Sequence, residues 1–195
     1  MLDLIWIVPL LPLAAFLILA FFGKSLPRAL AGFLGYALMA VSAVIAVLVA
    51  FDFSALLAEA ESQGLSGTFG VSVSAGPWFA VGDFRADFAL YVDALSVVMT
   101  LVVTIVGTLI FFYSTEYMAE DRDYSRFFAY MNLFGFSMLT LVLADNFMLL
   151  LLGWEGVGLC SYLLIGFWYE DPKNGYAARK AFITTRIGAV GLIIA

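Results

Sequence analysis

Along this chain the apolar residues come in long blocks, and the charged residues punctuate them. Blocks at about 2–22, 29–51, 89–112, 127–144, 146–168 and 177–195 are dominated by Leu, Ile, Val, Phe, Ala and Met. Each approaches or exceeds the ~20 residues that carry an α-helix across ~30 Å of hydrocarbon. The pattern predicts an all-α, polytopic membrane protein with about six transmembrane helices. The fourth and fifth blocks meet at Asp145–Asn146, a junction so short that the two helices must form an antiparallel hairpin. The first block lacks a basic leader and a small-residue cleavage site, and its apolar part is too long for a signal peptide, so it reads as a retained span.

Between the second and third blocks the pattern changes. In the segment 52–86, "LLAEAESQG" is able to continue the second helix into water. "TFGVSVSAGPWFAVGDF" alternates small or apolar residues with polar ones around Gly and Pro, which predicts a short β-hairpin. Its plain reading is an extramembrane cap. Residues 1–112 then form one group of three spans with this external segment, and 113–195 hold spans four to six.

Composition agrees with the bilayer. Of 195 residues 64% are hydrophobic and 12% charged, against roughly 25% charged in a soluble domain, and the mean hydropathy is +1.05. The net charge of −6 lies mainly in loops, and no basic patch invites a nucleic acid. One cysteine, Cys160, and no histidine exclude a CxxC motif and argue against haem, iron–sulfur or zinc ligation within the chain. The nine basic residues fix an orientation. With the N-terminus outside, Lys24, Arg28, Arg122, Arg126, Lys173, Arg179 and Lys180 all fall on the inside, Arg85 alone outside, and Arg186 within a span.

Three ionisable residues remain inside the spans. Glu155 sits near the middle of the fifth, in "GWEGVGLC". A carboxylate there costs roughly 2.5–3.5 kcal/mol on insertion scales, so it is expected to face protein or water, often in a proton relay. Gly153, Gly156 and Gly158 leave room for another backbone or for water. The alternative is a glutamate that only pairs with a neighbouring helix. Arg186 lies at similar depth in the sixth span, which runs antiparallel to the fifth, and Glu155 is its natural counter-ion. That pair is either a helix lock or a switch, since a close arginine favours the ionised carboxylate and its departure favours protonation. Asp93, in "YVDALSVVM", lies close to the outer surface; it reads either as an interfacial acid that hydrogen-bonds Ser96 or a loop, or as a further group in proton translocation. Lys180 near the inner end of the sixth span is able to snorkel or to feed a half-channel. Cys160 reads as packing, Trp168 and Tyr169 as interface anchors, and Pro9 and Pro12 as a kink in the first span.

The wording of the chain adds to this. "YSTEYMAEDRDYSRFFAYMNLFGFSMLTLVLADNFMLLLLGWEGVGLCSYLLIGFWYEDPKNGYAARKAFITTRIG" resembles the L subunit family of proton-pumping NADH:quinone oxidoreductase, respiratory complex I, as do "YVDALSVVM" and "PLLPLAAF". The resemblance implies an antiporter-like helical bundle in the membrane arm, with 113–195 opening its proton-translocating domain. It implies an enzyme subunit that moves protons while carrying no redox cofactor itself. NADH, FMN, iron–sulfur clusters and quinone would belong to partner subunits, and an M-type antiporter-like subunit would be its neighbour. A bacterial cytoplasmic membrane is the expected location. By the same resemblance Glu155 matches a fifth-helix glutamate that works with a lysine of a later helix. Arg186 matches the arginine of an Arg-x-Gly-Asp segment, and Asp93 the aspartate of an Asp-x-Leu-Ser pattern. The family's acid after the arginine is Ala189 here, which removes an i,i+3 partner. Because the chain ends inside an apolar run at Ala195, the expectation is an N-terminal portion without a complete proton path. The competing readings are an antiporter-like subunit of a membrane hydrogenase or inorganic-carbon uptake complex, and a non-transporting scaffold.

Overall fold

The structure, a computed structural model, describes residues 2–63, 69–82 and 84–194. Residues 64–68 and 83, part of the expected external segment, lie outside the described residues, as do Met1 and Ala195. A 3₁₀ turn, Leu2–Trp6, leads into α1 (Ile7–Phe22); α2 (Arg28–Ser62) follows, then β1 (Gly70–Val81), β2 (Phe84–Asp93), α3 (Ala94–Tyr117), α4 (Tyr124–Val142), α5 (Phe147–Ile165) and α6 (Pro172–Ile194). Four segments, Leu2–Phe22, Arg28–Ala60, Ala94–Tyr117 and Phe147–Ile165, are long and apolar enough to cross a membrane. The other two long helices, α4 and α6, carry more polar positions.

The polarity of α4 has a packing explanation. It is the central helix, touching α1, α2, α3 and α5, and it buries Phe128, Ala129, Asn132, Gly135, Ser137, Leu139 and Thr140. Its polar side chains therefore meet protein and not lipid. Asn132, Ser137 and Thr140 each donate back to the carbonyl four residues earlier, at 2.8–2.9 Å, which satisfies most of their polar atoms where water is absent. On the first span, Pro12 has no N–H to offer the Val8 carbonyl. Ser42 Oγ on α2 donates to that carbonyl at 2.7 Å in a fully buried position. The broken ladder bond becomes a helix–helix tie.

Several expected boundaries move by a few residues, and two of the shifts have a clear cause. The third helix begins at Ala94 and not at 89, because 89–93 form the end of β2. The run "ALYV" is continuous in apolar character, yet it lies extended: β2 pairs antiparallel with β1 from Gly70↔Asp93 to Val81↔Phe84. On its other side the Tyr91 N–H donates to Leu143 O at 2.8 Å and the Asp145 N–H to Ala89 O at 3.2 Å. Leu90 and Val92 insert into the end of the bundle beside Ile5, Val49, Phe53, Leu139 and Leu149, and that burial decides strand over helix. The second helix runs to Ser62, beyond its apolar block, as "LLAEAESQG" allowed. The hairpin is longer than expected, with Gly76 at φ 126° at a register shift and Gly82 at φ 59° in the tip, both left-handed positions that suit glycine.

Candidate functional site: the α5–α6 ion pair

Local sequence sets α5 in place. The Asn146 side chain accepts from the Leu149 N–H at 3.0 Å and caps the helix. Its Nδ2 donates to Asp87 O at 2.7 Å, which ties the α4–α5 junction to β2. The glycines then divide between two neighbours. A Cβ on Gly153 would lie 2.6 Å from the Leu141 backbone nitrogen, and one on Gly156 would lie 2.6 Å from Ser137 Oγ, so these two seat α5 directly on α4. Gly158 faces α6 instead, with Thr185 Oγ1 at 3.7 Å and an Arg186 nitrogen at 4.0 Å from the same construction. Cys160 is fully buried against α4, its Sγ 4.0 Å from Ser137 Oγ.

Between these glycines Glu155 turns away from α4 towards α6. At the middle of α5 its carboxylate forms an ion pair with the Arg186 guanidinium. Arg186 Nη2 also donates to the Glu155 carbonyl oxygen at 3.4 Å, and its Cζ lies 4.4 Å from the centroid of the Phe182 ring one turn earlier. Charge, hydrogen bond and ring thus converge on one guanidinium, and all of its partners sit on α5 or α6. Within the described residues Glu155 is about a quarter exposed and Arg186 about a third. Ala189, where the resembling family has an acid, is buried, so no carboxylate on α6 competes with Glu155 for the arginine.

The other candidates lie elsewhere. Asp93 is at the hairpin end, where it caps α3: its carboxylate accepts from the Ser96 N–H at 2.7 Å, and Ser96 Oγ accepts from the Asp93 N–H at 2.8 Å. This reciprocal capping box accounts for an acid at that position. Lys180 is exposed on α6 and joins neither Glu155 nor Arg186.

Sequence reasoning counted Arg126 only as a loop charge, and the structure gives it more. It pairs with Asp123 at 3.1 Å and donates to Phe167 O at 3.0 Å, and its guanidinium lies over the Phe167 and Tyr169 rings at 4.7 and 5.0 Å. Beside it, Trp168 Nε1 donates to Asp121 Oδ2 at 2.9 Å. That bond holds the Asp121 carboxyl below its ordinary range, against partial burial and with help from the Asp123 N–H and the charges of Arg126 and Arg28. The Asp123–Arg126 pair has i,i+3 spacing, but no spacing rule signals the contacts with 167–169, because they join helix ends far apart in sequence. A recess of about 190 Å³ opens next to them, walled by Arg126, Tyr130, Tyr162, Tyr169 and Ala178. The Tyr162 ring packs on Phe182, centroids 5.4 Å apart, and Phe182 underlies Arg186.

The fold is that of a polytopic helical membrane protein with an ion pair between two of its helices. Residues 78–128 match the family described as NADH-ubiquinone oxidoreductase (complex I), chain 5 N-terminus, and residues 144–195 match NADH:quinone oxidoreductase/Mrp antiporter, TM. Glu155 and Arg186 both fall in the second match. The chain is 47% identical over 186 residues to NADH-quinone oxidoreductase subunit L of Escherichia coli, covering 95% of this chain and 29% of that protein. It is 48% identical over 181 residues to the Pseudomonas aeruginosa subunit (93% and 28%) and 45% over 190 residues to that of Mycobacterium tuberculosis H37Rv (97% and 28%). Over nearly all of its length the chain is similar to these L subunits, and it spans less than a third of the length of the curated relatives it matches.

Proposed function

We propose that this chain contributes the first part of a proton-translocating path in the membrane arm of an NADH:quinone oxidoreductase, with Glu155 as the group that takes up and releases the proton. The observation that carries the reading is the Glu155–Arg186 pair, placed between two helices at the middle of α5. While the guanidinium is close, the carboxylate is favoured in its ionised form. When α6 shifts and the arginine withdraws, a charge at bilayer depth costs several kcal/mol and the carboxylate takes a proton. Return of the arginine releases it. Because the partners sit on different helices, a relative movement of α5 and α6 changes proton affinity directly. A lysine on a later helix of the full-length subunit, implied by the family resemblance, would receive the proton.

Supply from the basic end fits this reading. One wall of the recess, Tyr162, packs on Phe182, the ring that underlies Arg186. The positive-inside distribution supports reading that recess as cytoplasmic in a bacterial membrane, with the N-terminus outside. Electron transfer, with its flavin, iron–sulfur and quinone chemistry, belongs to other subunits, and an M-type subunit is the expected neighbour. In the full-length subunit within its complex, Glu155→Gln is expected to reduce the number of protons moved per NADH oxidised while assembly persists. An unchanged stoichiometry would overturn the assignment.

A further inference from the structure

At the basic end of the bundle a groove of about 700 Å³ runs between the end of α1, the α1–α2 connection and the start of α4. Lys24, Arg28, Arg122 and Arg126 line it, with Asp123 as its one lining acid. Arg126 is occupied by Asp123 and Phe167, and Arg28 donates to Ala119 O at 3.1 Å. Lys24 and Arg122 have no ion-pair partner among the described residues. No side chain caps the N-terminus of α4, which opens on the same groove and adds its dipole. The opposite wall is apolar, made by Phe16, Leu19 and Leu26. Just outside it Phe21 and Phe22 are 77% and 63% exposed.

We propose that this groove seats the headgroup of an anionic phospholipid, its phosphate held by Lys24 and Arg122 and its acyl chains lying along the end of α1. Charge complementarity selects an anion. The apolar wall selects a lipid over free phosphate, which would leave the half-buried Phe16 and Leu26, and Phe21 and Phe22 just outside, facing water. The position, at helix ends flanked by Trp168 and Tyr169, is the depth at which headgroups lie. The inference does not depend on the proton-path reading, since it needs only a membrane-embedded bundle.

The test is native mass spectrometry of the full-length subunit in its intact complex, extracted in mild detergent, comparing wild type with Lys24→Gln/Arg122→Gln. The double variant is expected to lose one tightly held anionic phospholipid, with retention weakened roughly thirty-fold by removal of two cations. Zwitterionic lipids should be unaffected. If the variant fails to assemble, the wild-type complex washed at rising salt answers the same question, with anionic lipid released before zwitterionic. An unchanged lipid count would overturn the proposal, as would equal retention of zwitterionic lipid, displacement by millimolar inorganic phosphate, or loss of an acidic protein segment in place of lipid.

Discussion

Two arginines in this protein have nearly the same partners and very different settings. Arg126 and Arg186 each meet a carboxylate, a backbone carbonyl and an aromatic ring. Arg126 does so at the basic end, with its carboxylate three residues away in the turn before its own helix. It acts as a clasp between α4 and the end of α5. Arg186 reaches across to another helix, and its carboxylate lies at the middle of α5, a helix long and apolar enough to cross a membrane. At the surface, water is always available to replace a lost partner, so an arginine there stabilises a geometry. On the proposed reading, a lost partner at mid-depth is replaced by a proton, so that the same contacts would couple geometry to protonation. On that reading, depth and separation on different helices are what would distinguish a clasp from a switch.

The largest way to break this comparison is Glu155→Gln, which should abolish most proton transfer and leave the fold in place. Arg126→Gln should do the reverse. It loses charge-assisted bonds and ring contacts at a partly exposed site, a destabilisation of about 1–2 kcal/mol, read as a lower Tm with unchanged protons per electron. Gly153→Val tests whether α5 must touch α4 before Glu155 can face α6. A side chain there meets the Leu141 backbone, which should cost about 1–3 kcal/mol and reduce pumping through misplacement of Glu155. Gly153→Ala should show a smaller version of both effects.

Asp93 sharpens the contrast from the other end of the molecule. Asp93→Asn keeps an acceptor for the Ser96 N–H and should preserve both stability and pumping. Asp93→Ala removes the cap and should cost about 1 kcal/mol, again without change in pumping. A stable Asp93→Asn variant that fails to pump would return Asp93 to the proton path.

The smallest effect concerns pH. Asp121 has a lowered pKa in the folded protein because of the Trp168 N–H. Its contribution is therefore complete above the unfolded value of about 3.9 and is lost as pH falls through the lowered folded value. Thermal stability followed by tryptophan fluorescence should fall more steeply below about pH 4 in wild type than in Asp121→Asn, which keeps an acceptor for Trp168 but cannot titrate.

Much of this arrangement was legible in the sequence because the bilayer imposes length and polarity on its helices. Glu155 and Arg186 stood out as charges inside apolar runs, and their pairing followed from the antiparallel order of α5 and α6. The start of α3 was misplaced, since a short apolar run has no period that separates a buried strand from a helix. Only the bonds from β2 to β1 and to 143–145 decide it. The contacts of Arg126 with 167–169 and the basic groove were invisible for a different reason. Both gather residues from helix ends that are distant in sequence, and nothing in the spacing of "SRFFAY" or "GFWYE" announces the meeting.

The most direct test of the central claim is infrared difference spectroscopy of the full-length subunit in its complex during turnover, with Glu155→Gln as the control. The account predicts a protonated-carboxyl band that appears and decays with turnover in wild type and is absent in the variant. A band that persists in Glu155→Gln, or a Glu155 that stays ionised while protons are pumped, would contradict it.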